Sequence, residues 1–262
     1  MGPMKTRWKW LGAGLMAWVL SSCGAPDYEG PANTAPNVVA ARRTAAAASS
    51  QGLERQGLAT TAGSIVTDVP ERGGMSGHGG PYGVDSIYYN DRAGLTAMGV
   101  QETPINGFFP VAGGVLEWGL KDNASNFLTA YYRPGSNGGK GRHFVEGKAG
   151  EEYSVVLYNR CNCRLLVVLS IDGVNVKDGR MASANQDGFV VEAGSYREVK
   201  GYHVMDYYSK AFQFTSVANS KARYTTGDTR NVGVIGIAVF KPQGVDPWKW
   251  VKDEGPQNTT VF

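Results

Sequence analysis

The sequence predicts an all-β protein: an antiparallel β-sandwich or jelly-roll-like domain behind a flexible N-terminal tether. Residues 153–158 alternate between two sets of side chains, which is the two-residue period of a β-strand. Residues 165–171 form an almost continuous apolar run, typical of a strand that is covered on both faces. Asp-Gly pairs at 172–173, 178–179 and 187–188 supply tight turns. Short strands joined by such turns indicate a sandwich or a jelly roll.

Six further segments show the same signals and complete the predicted domain. In chain order they are 114–120, 127–132, 189–191, 196–199, 212–214 and 232–240. The last of them contains Gly233 and Gly236, which predict a bulge or a close approach of two backbones. Because no segment of the domain has a strong 3.6-residue period, we expect strands rather than long helices.

A change in composition near residue 82 separates this domain from the chain before it. Residues 29–81 contain no Phe, Tyr or Trp, whereas all Phe residues and all Tyr residues except Tyr28 lie beyond them. A segment without aromatic residues buries too little apolar surface to offset the entropy cost of ordering. We therefore expect a disordered tether over 23–81, a β-sandwich domain over 82–242 and a C-terminal tail over 243–262.

Residues 1–22 have the composition of a secretory signal peptide. Lys5, Arg7 and Lys9 form a positive segment, and an apolar stretch follows at 11–20. This stretch is too short to span a bilayer, which needs ~20 residues, but it suits the apolar region of a signal peptide. The sequence therefore predicts export from the cytoplasm.

The segment Leu20-Ser21-Ser22-Cys23 follows the apolar stretch directly. It resembles a bacterial lipobox, in which small residues precede a cysteine that becomes the lipidated N-terminus of the mature protein. The resemblance implies a lipoprotein in which Cys23 bears palmitate-like acyl chains, and each buried CH₂ of those chains contributes ~0.8 kcal/mol to membrane binding. Gly24 stands where an Asp would imply retention in the inner membrane. The expected location is therefore the cell envelope, at the outer membrane.

Several segments of the domain form a familiar set. They are Phe144-Val145-Glu146-Gly147, Val168-Leu169-Ser170-Ile171-Asp172-Gly173, Gly188-Phe189-Val190-Val191, Lys200-Gly201-Tyr202 and Asn231-Val232-Gly233-Val234-Ile235-Gly236. Together, residues 144–240 resemble a β-rich domain of uncharacterised bacterial secreted proteins and lipoproteins. The resemblance supports a β-domain and implies no activity and no catalytic residue. Arg160-Cys161-Asn162-Cys163 departs from it, because a plain polar turn is expected there.

Charge and motifs argue against nucleic-acid binding and against the common enzyme classes. Three of the 26 basic residues precede Cys23, so the remaining basic residues balance the 23 acidic ones. Nucleic-acid binding needs a clustered basic excess, so we do not expect it. The sequence has no phosphate-binding loop, dinucleotide fingerprint or Gly-x-Ser-x-Gly motif. We expect no catalytic residue and no cofactor; a histidine-dependent hydrolase would need His143 or His203, since His78 lies in the expected tether.

Two sets of residues could form a redox site or a metal site. Cys161 and Cys163 are the only cysteines beyond Cys23, and an oxidising compartment favours their pairing as a strained, labile disulfide. Such a disulfide could be redox-active, or it could only stabilise the turn. The third possibility is that the two thiols stay free. The oxygens of Asp172, Asn175 and Asp178 could bind Ca²⁺, although Asp-Gly turns explain these residues equally well and their spacing is not that of an EF-hand.

Exposed aromatic residues are the remaining candidates for ligand binding. Adjacent residues of a strand face opposite sides, so one member of each pair Tyr131-Tyr132 and Tyr207-Tyr208 should face solvent. The candidates are Tyr131, Tyr207, Trp248 and Trp250; the two tryptophans could instead pack on the sandwich. We expect a lipid-anchored, non-catalytic binding or structural module, whose partner is an envelope protein or polysaccharide. The alternatives are a glycan-binding module that uses exposed Tyr and Trp, a Cys-x-Cys thiol oxidoreductase, and an unrecognised hydrolase.

Overall fold

A computed structural model of the chain describes residues 57–69, 74–75, 79–100, 103–135 and 139–248. In chain order, its strands are β1 (Leu58–Thr67), β2 (Gly83–Asn90), β3 (Phe108–Val111), β4 (Leu116–Asp122), β5 (Ala130–Arg133), β6 (Arg142–Glu146), β7 (Glu152–Asn159), β8 (Leu165–Ile171), β9 (Val174–Asn175), β10 (Phe189–Val191), β11 (Tyr196–Val199), β12 (Gly201–Met205), β13 (Tyr208–Ser216) and β14 (Val234–Phe240). Its α-helices are α1 (Arg92–Ala97) and α2 (Lys221–Thr226). The leader with Cys23, and also His78 and Trp250, lie outside the described residues.

The strands form two sheets, each of seven strands. Sheet I has the order β1-β13-β7-β4-β3, with β11 on β7 and β12 on β13. Sheet II has the order β10-β8-β14-β2-β6-β5, with β9 on β8. Every pair is antiparallel except β2 with β6, which run parallel. The predicted all-β class and the antiparallel sandwich are therefore confirmed, with this one parallel pair as an addition.

The core lies between the two sheets and explains the alternating pattern of β7. Tyr153, Val155 and Leu157 are almost fully buried in the main core, together with Trp118 of β4. Strand β8 is buried on both faces, as its continuous apolar run predicts. Its second face contributes to a smaller buried cluster, which consists of Leu166, Val168, Val190, Ala238 and Phe240, with Met75 and Ala184 packed against it.

The expectation of a tether that extends to residue 81 is wrong for residues 58–67. Strand β1 pairs with β13 from Leu58 to Thr67, with one bulge between Ala62 and Ile65. Its first three residues are buried although the strand contains no aromatic side chain. The aromatic surface against which β1 packs comes from other strands, notably Phe214 of β13 and Tyr89 of β2. A segment can therefore be ordered by the aromatic residues of its neighbours.

A buried polar network connects β1 with another strand of its own sheet and with sheet II. Asp172 follows β8 with a φ of 55°, and its carboxylate accepts hydrogen bonds from the Thr60 amide at 2.7 Å and the Tyr89 hydroxyl at 2.6 Å. The same carboxylate accepts from the Gly233 amide at 2.9 Å. The Thr60 hydroxyl lies 2.8 Å from the hydroxyls of both Tyr89 and Tyr153. The network thus connects β1 and β7 of sheet I with β2 and β8 of sheet II.

The helices are short and lie between strands. Helix α1 begins after Asp91, whose side chain accepts from the Gly94 amide, and α2 begins after Ser220, whose hydroxyl accepts from the Arg223 amide. Gly227 ends α2 in the left-handed conformation, with a φ of 68°. Across the part of the chain that the structure describes, no helix is long and apolar enough to cross a membrane.

Candidate functional site

The outer face of sheet I presents a row of three side chains on three adjacent strands. Glu117 of β4 is opposite Tyr158 of β7, and Tyr158 is opposite Tyr196 of β11. All three point away from the core because Leu157, the neighbour of Tyr158, points into it. We call Glu117, Tyr158 and Tyr196 the tyrosine row. It places an aromatic surface next to a carboxylate on a rigid sheet.

The contacts of the tyrosine row fix the orientation of its outermost ring. The Tyr158 and Tyr196 rings stack with centroids 3.9 Å apart and planes only 6° apart. Beneath them, the Arg160 guanidinium lies 4.6 Å from the centre of the Tyr158 ring, and its Nε donates to Glu117 at 2.5 Å. Arg160 is buried, whereas Tyr196 is 58% exposed. Burial and the phenol of Tyr158 raise the pKa of Tyr196, so its hydroxyl stays protonated at neutral pH.

A polar groove of about 380 Å³ adjoins the tyrosine row on the same face. Its lining residues come from five strands, from the turn after β4 and from the residue between β11 and β12: Val66, Thr67, Asp122, Asn123, Ser125, Tyr153, Ser154, Glu198, Lys200 and Ala211. Glu198 lies two residues after Tyr196 on β11, so both side chains face the same way at a spacing of ~7 Å. We call this depression the sheet I groove. It offers carboxylate, amide, hydroxyl and ammonium groups beside the exposed ring.

Ser154 in the floor of this groove has an unused hydrogen-bonding group. The residue is only 6% exposed, and its hydroxyl has no hydrogen-bond partner among the residues that the structure describes. A buried hydroxyl without a partner costs free energy, so such a group favours a ligand or a water that supplies the missing bond. The hydroxyl oxygen itself is closed off from solvent, so the polar groups that the groove presents to a ligand are those of its exposed residues, such as Asn123, Glu198 and Lys200.

A second groove, of about 520 Å³, lies at sheet II and contains more cations. Its lining includes Arg133, Lys140, Arg142, Tyr88 and Asp85. Lys140 is paired with Asp85 at 2.7 Å, the Arg142 guanidinium lies 5.5 Å from the centre of the Tyr88 ring, and Arg133 donates to a backbone carbonyl. Each of these cations already contacts another group of the protein and is less available to an anionic ligand. We therefore regard this groove as a weaker candidate for a binding site than the sheet I groove.

The three described aromatic candidates, Tyr131, Tyr207 and Trp248, lie in different parts of the domain. Tyr131 is buried, contrary to the prediction: its hydroxyl donates to Glu146 at 2.7 Å, and Arg92 covers its ring at 5.1 Å. The exposed member of that pair is Tyr132. Tyr207 is exposed in the turn between β12 and β13, 11 positions after Tyr196 and outside the tyrosine row.

Trp248, the other described candidate, is exposed near the cysteine turn. Its amide donates to Asn162 Oδ1 at 3.2 Å, and its side chain is 59% exposed. The sequence favours a tail whose two indoles pack on the sandwich, and the large exposure of Trp248 does not fit that interpretation for this residue. Tyr196, which the sequence analysis did not select, is the aromatic residue with a supporting stack beneath it.

The two cysteines lie side by side as thiols, and Cys163 is poorly suited to act as a nucleophile. Their sulfur atoms are 3.6 Å apart, compared with about 2.05 Å in a disulfide, and both are free thiols. Burial and the adjacent Cys161 raise the pKa of Cys163 to about 12. A thiol at that pKa stays protonated near neutral pH, which is the opposite of what an attacking thiolate requires. Their pairing in an oxidising compartment stays a prediction.

The three calcium candidates each have other partners. Asp172 is in the buried network, and burial raises the pKa of its carboxyl to about 6. Asn175 Oδ1 accepts from the amides of Lys177 and Asp178, and Asp178 accepts from the Arg180 amide and the Gln186 side chain. Within the described ranges, no cluster of three or more His, Cys, Asp or Glu residues could hold a metal. The Asp-Gly pairs at 172–173 and 178–179 are therefore parts of turns here.

The two described histidines lie in different environments. His143 is stacked on Phe109 with ring centroids 4.1 Å apart, and burial lowers its pKa. His203 lies in β12, where it is opposite Ser209 of β13. Neither residue belongs to the lining of the sheet I groove.

The chain matches no protein-family model, no curated protein and no solved structure. The resemblance of residues 144–240 to a β-rich domain of bacterial lipoproteins therefore stays a prediction. The same holds for the lipobox at Cys23.

Proposed function

We propose that this chain is a lipid-anchored, non-catalytic binding module of the cell envelope, and that its ligand is a carbohydrate. The leader supports the first part, because a positive segment, a short apolar stretch and Leu20-Ser21-Ser22-Cys23 follow one another as in bacterial lipoproteins. The outer membrane is the expected location. The ligand surface is the tyrosine row together with the sheet I groove.

The exposed, pre-stacked ring of Tyr196 is the observation that supports a carbohydrate ligand. A sugar ring has an apolar C–H face that packs on an aromatic ring, while its hydroxyl groups need polar partners at the edge. Tyr196 offers the first surface, and Glu198 and Lys200 offer the second. Because Tyr158 already holds the Tyr196 ring in place, little conformational entropy is lost when a ligand binds.

Calorimetric titration with envelope polysaccharides tests this proposal. We expect Tyr196→Ala to weaken binding at least tenfold, which corresponds to ~1.4 kcal/mol, while Tyr196→Phe retains most of the affinity. Tyr224→Ala is the matched control, because Tyr224 is also exposed but lies on α2. Titrations without heat for every polysaccharide tried would instead favour the alternative of a protein partner.

The anchor has a separate test. In cells, we expect Cys23→Ser to move the protein from the membrane fraction to the soluble fraction, because acyl chains cannot be attached to a serine hydroxyl through a thioether. A Cys23→Ser variant that still sediments fully with membranes would contradict the lipobox interpretation. The carbohydrate proposal does not depend on this result, since the sheet I groove lies wholly within the described domain.

A further inference from the structure

Exposed apolar side chains are concentrated at one end of sheet I. We call this end the hairpin tip; it consists of the end of β1, the residues that follow it and the hairpin between β12 and β13. Its exposed apolar residues are Ile65 (70%), Val69 (66%), Val204 (51%), Met205 (58%), Tyr207 (58%) and Tyr208 (48%). Exposed single apolar residues are ordinary, but six on adjoining chain segments mark an interaction surface.

The three segments of the hairpin tip are held together by backbone pairing. Thr67 of β1 is opposite Tyr208 of β13, and Met205 of β12 is opposite the same residue from the other side. Beyond the strands, the Asp68 amide donates to the Tyr207 carbonyl at 2.9 Å, and the Ser209 hydroxyl donates to Asp68 Oδ2 at 2.7 Å. The apolar side chains therefore project from a paired three-stranded end rather than from an unpaired loop.

The charges of the hairpin tip do not suit electrostatic docking. Asp206 lies in the turn, Asp68 is bonded to Ser209, and Lys210 is the next cation along β13. Among the described residues of the tip, no cluster of cations would attract anionic lipids or an acidic protein; Lys221 of α2 is near Lys210 but lies outside the tip. Two tyrosines beside aliphatic side chains are instead the combination found at membrane interfaces, where phenol hydroxyls reach the headgroups and the rings stay in an apolar layer.

We propose that the hairpin tip inserts into the interfacial layer of a phospholipid bilayer. Ile65, Val204 and Met205 contact the acyl-chain boundary, and the Tyr207 and Tyr208 hydroxyls lie among the headgroups. The Asp206 carboxylate stays at the headgroup level, where the ammonium group of phosphatidylethanolamine can pair with it. The occupant of this surface is thus the membrane itself, contacted through buried apolar area rather than through charge.

The proposed lipid anchor at Cys23 is what favours a membrane as the partner of the hairpin tip. The chain between Cys23 and β1 is long enough for the tip to reach the same membrane. Strand β1 is ten residues long, or ~33 Å, and its first residue is at the end opposite the hairpin tip. Gly57 comes 34 positions after Cys23, and a chain of that length spans at most ~110–120 Å. An anchored Cys23 therefore leaves the hairpin tip free to meet the same bilayer. Confinement near that bilayer raises the effective concentration of the tip, so even a weak insertion keeps the tip at the membrane.

Vesicle sedimentation of the chain from Gly24 to Phe262 tests the proposal without the anchor. This chain retains every described strand and lacks Cys23, so a failure of the lipobox interpretation does not affect the result. The probes are vesicles of phosphatidylethanolamine with a minor share of phosphatidylglycerol, and vesicles of phosphatidylcholine alone. We expect the protein to bind both, with little effect of added salt. Binding that requires phosphatidylglycerol and disappears with salt would overturn the proposal, because it would indicate electrostatic adsorption.

The decisive comparison is between Met205→Ser/Tyr207→Ser and Tyr224→Ser. Both replace exposed side chains, but only the first changes the hairpin tip. We expect the tip variant to lose at least tenfold in vesicle affinity, the Tyr224 variant to bind like the wild type, and all three to unfold at the same urea concentration. Equal binding by the tip variant and the wild type would overturn the proposal. So would a wild-type chain that stays in solution with both kinds of vesicle; capture of an envelope protein by the tip would then identify a protein partner.

Discussion

Burial of the Asp172 carboxylate makes the stability of the domain depend on pH in a direction that can be calculated. Burial raises the pKa of this carboxyl to about 6 from its usual 3.8 or so. The folded protein therefore binds the proton more tightly than the unfolded chain does. The corresponding stabilisation is fully present below about pH 4 and is lost as the pH rises through about 6. A difference of about two pKa units corresponds to ~3 kcal/mol in the free energy of unfolding.

His143 opposes this trend, so the wild-type curve alone does not isolate Asp172. Burial lowers the pKa of His143, and the contribution of this residue is present above its unfolded pKa near 6.5 and lost as the pH falls through its lower folded value. Asp172→Asn removes only the carboxyl titration while it retains the side-chain volume. The informative quantity is therefore the difference in unfolding free energy between wild type and Asp172→Asn at each pH.

Urea unfolding followed by tryptophan fluorescence measures this difference. Trp118 is fully buried, so its emission reports loss of the core. We expect the variant to be the less stable protein at about pH 4, because its amide nitrogen cannot accept from the Thr60 or Gly233 amide. The advantage of the wild type should then shrink by ~3 kcal/mol toward pH 7. A constant or growing difference would refute the reasoning, because the hydrogen bonds to the carboxylate would then outweigh its burial.

Three further substitutions test the packing and the buried hydroxyls. Each is measured by the urea concentration at the midpoint of unfolding, and we expect the slope of the unfolding free energy against urea to stay the same. Gly201→Ala should cost ~1–3 kcal/mol, since its new methyl group would lie 2.1 Å from the Lys210 carbonyl oxygen; an unchanged midpoint would show that β12 can shift freely. Tyr202→Phe should be neutral or stabilising by up to ~1 kcal/mol, because the buried hydroxyl has no partner within the described residues, and a large loss would reveal one. Thr60→Val should cost ~1–3 kcal/mol, as the hydroxyl contacts two buried tyrosines; a loss below ~0.5 kcal/mol would count against a structural role of the network.

The sequence predicts β7 and β8, whose own residues form much of the core, but it misses β1, which depends on its neighbours, and also β2, β3 and β12. Strands β7 and β8 have an internal apolar pattern, and their predicted segments agree with the structure. Strand β1 has only small and aliphatic residues, and one of its fully buried positions is the polar Thr60. The partner of Thr60 is Asp172, 112 positions away. No local pattern contains that pairing, so β1 was assigned to the tether.

The candidate site was missed for a related reason. Alternation along a strand divides Tyr131 and Tyr132 between two faces, but it does not tell which face is covered, and the wrong member was selected. Tyr196 becomes a binding candidate only through its register with Tyr158, which requires β11 to pair with β7. A turn composition before Tyr196 predicted the strand, whereas the stack beneath its ring arises from tertiary pairing.

Strand β1 contributes residues to both proposed surfaces. Their short separation limits which ligands could bind in the sheet I groove while the hairpin tip is inserted. Val66 and Thr67 line the sheet I groove, whereas Ile65 and Val69 belong to the hairpin tip. Neighbouring residues of a strand are ~3.3 Å apart, so a molecule in the groove would lie within ~10 Å of side chains inserted into the bilayer. A polysaccharide far from the membrane could not reach the groove while the tip is inserted. The two proposals together therefore require a membrane-proximal saccharide, and vesicles that contain a glycolipid should bind the wild type more tightly than Tyr196→Ala, whereas plain vesicles should bind both equally.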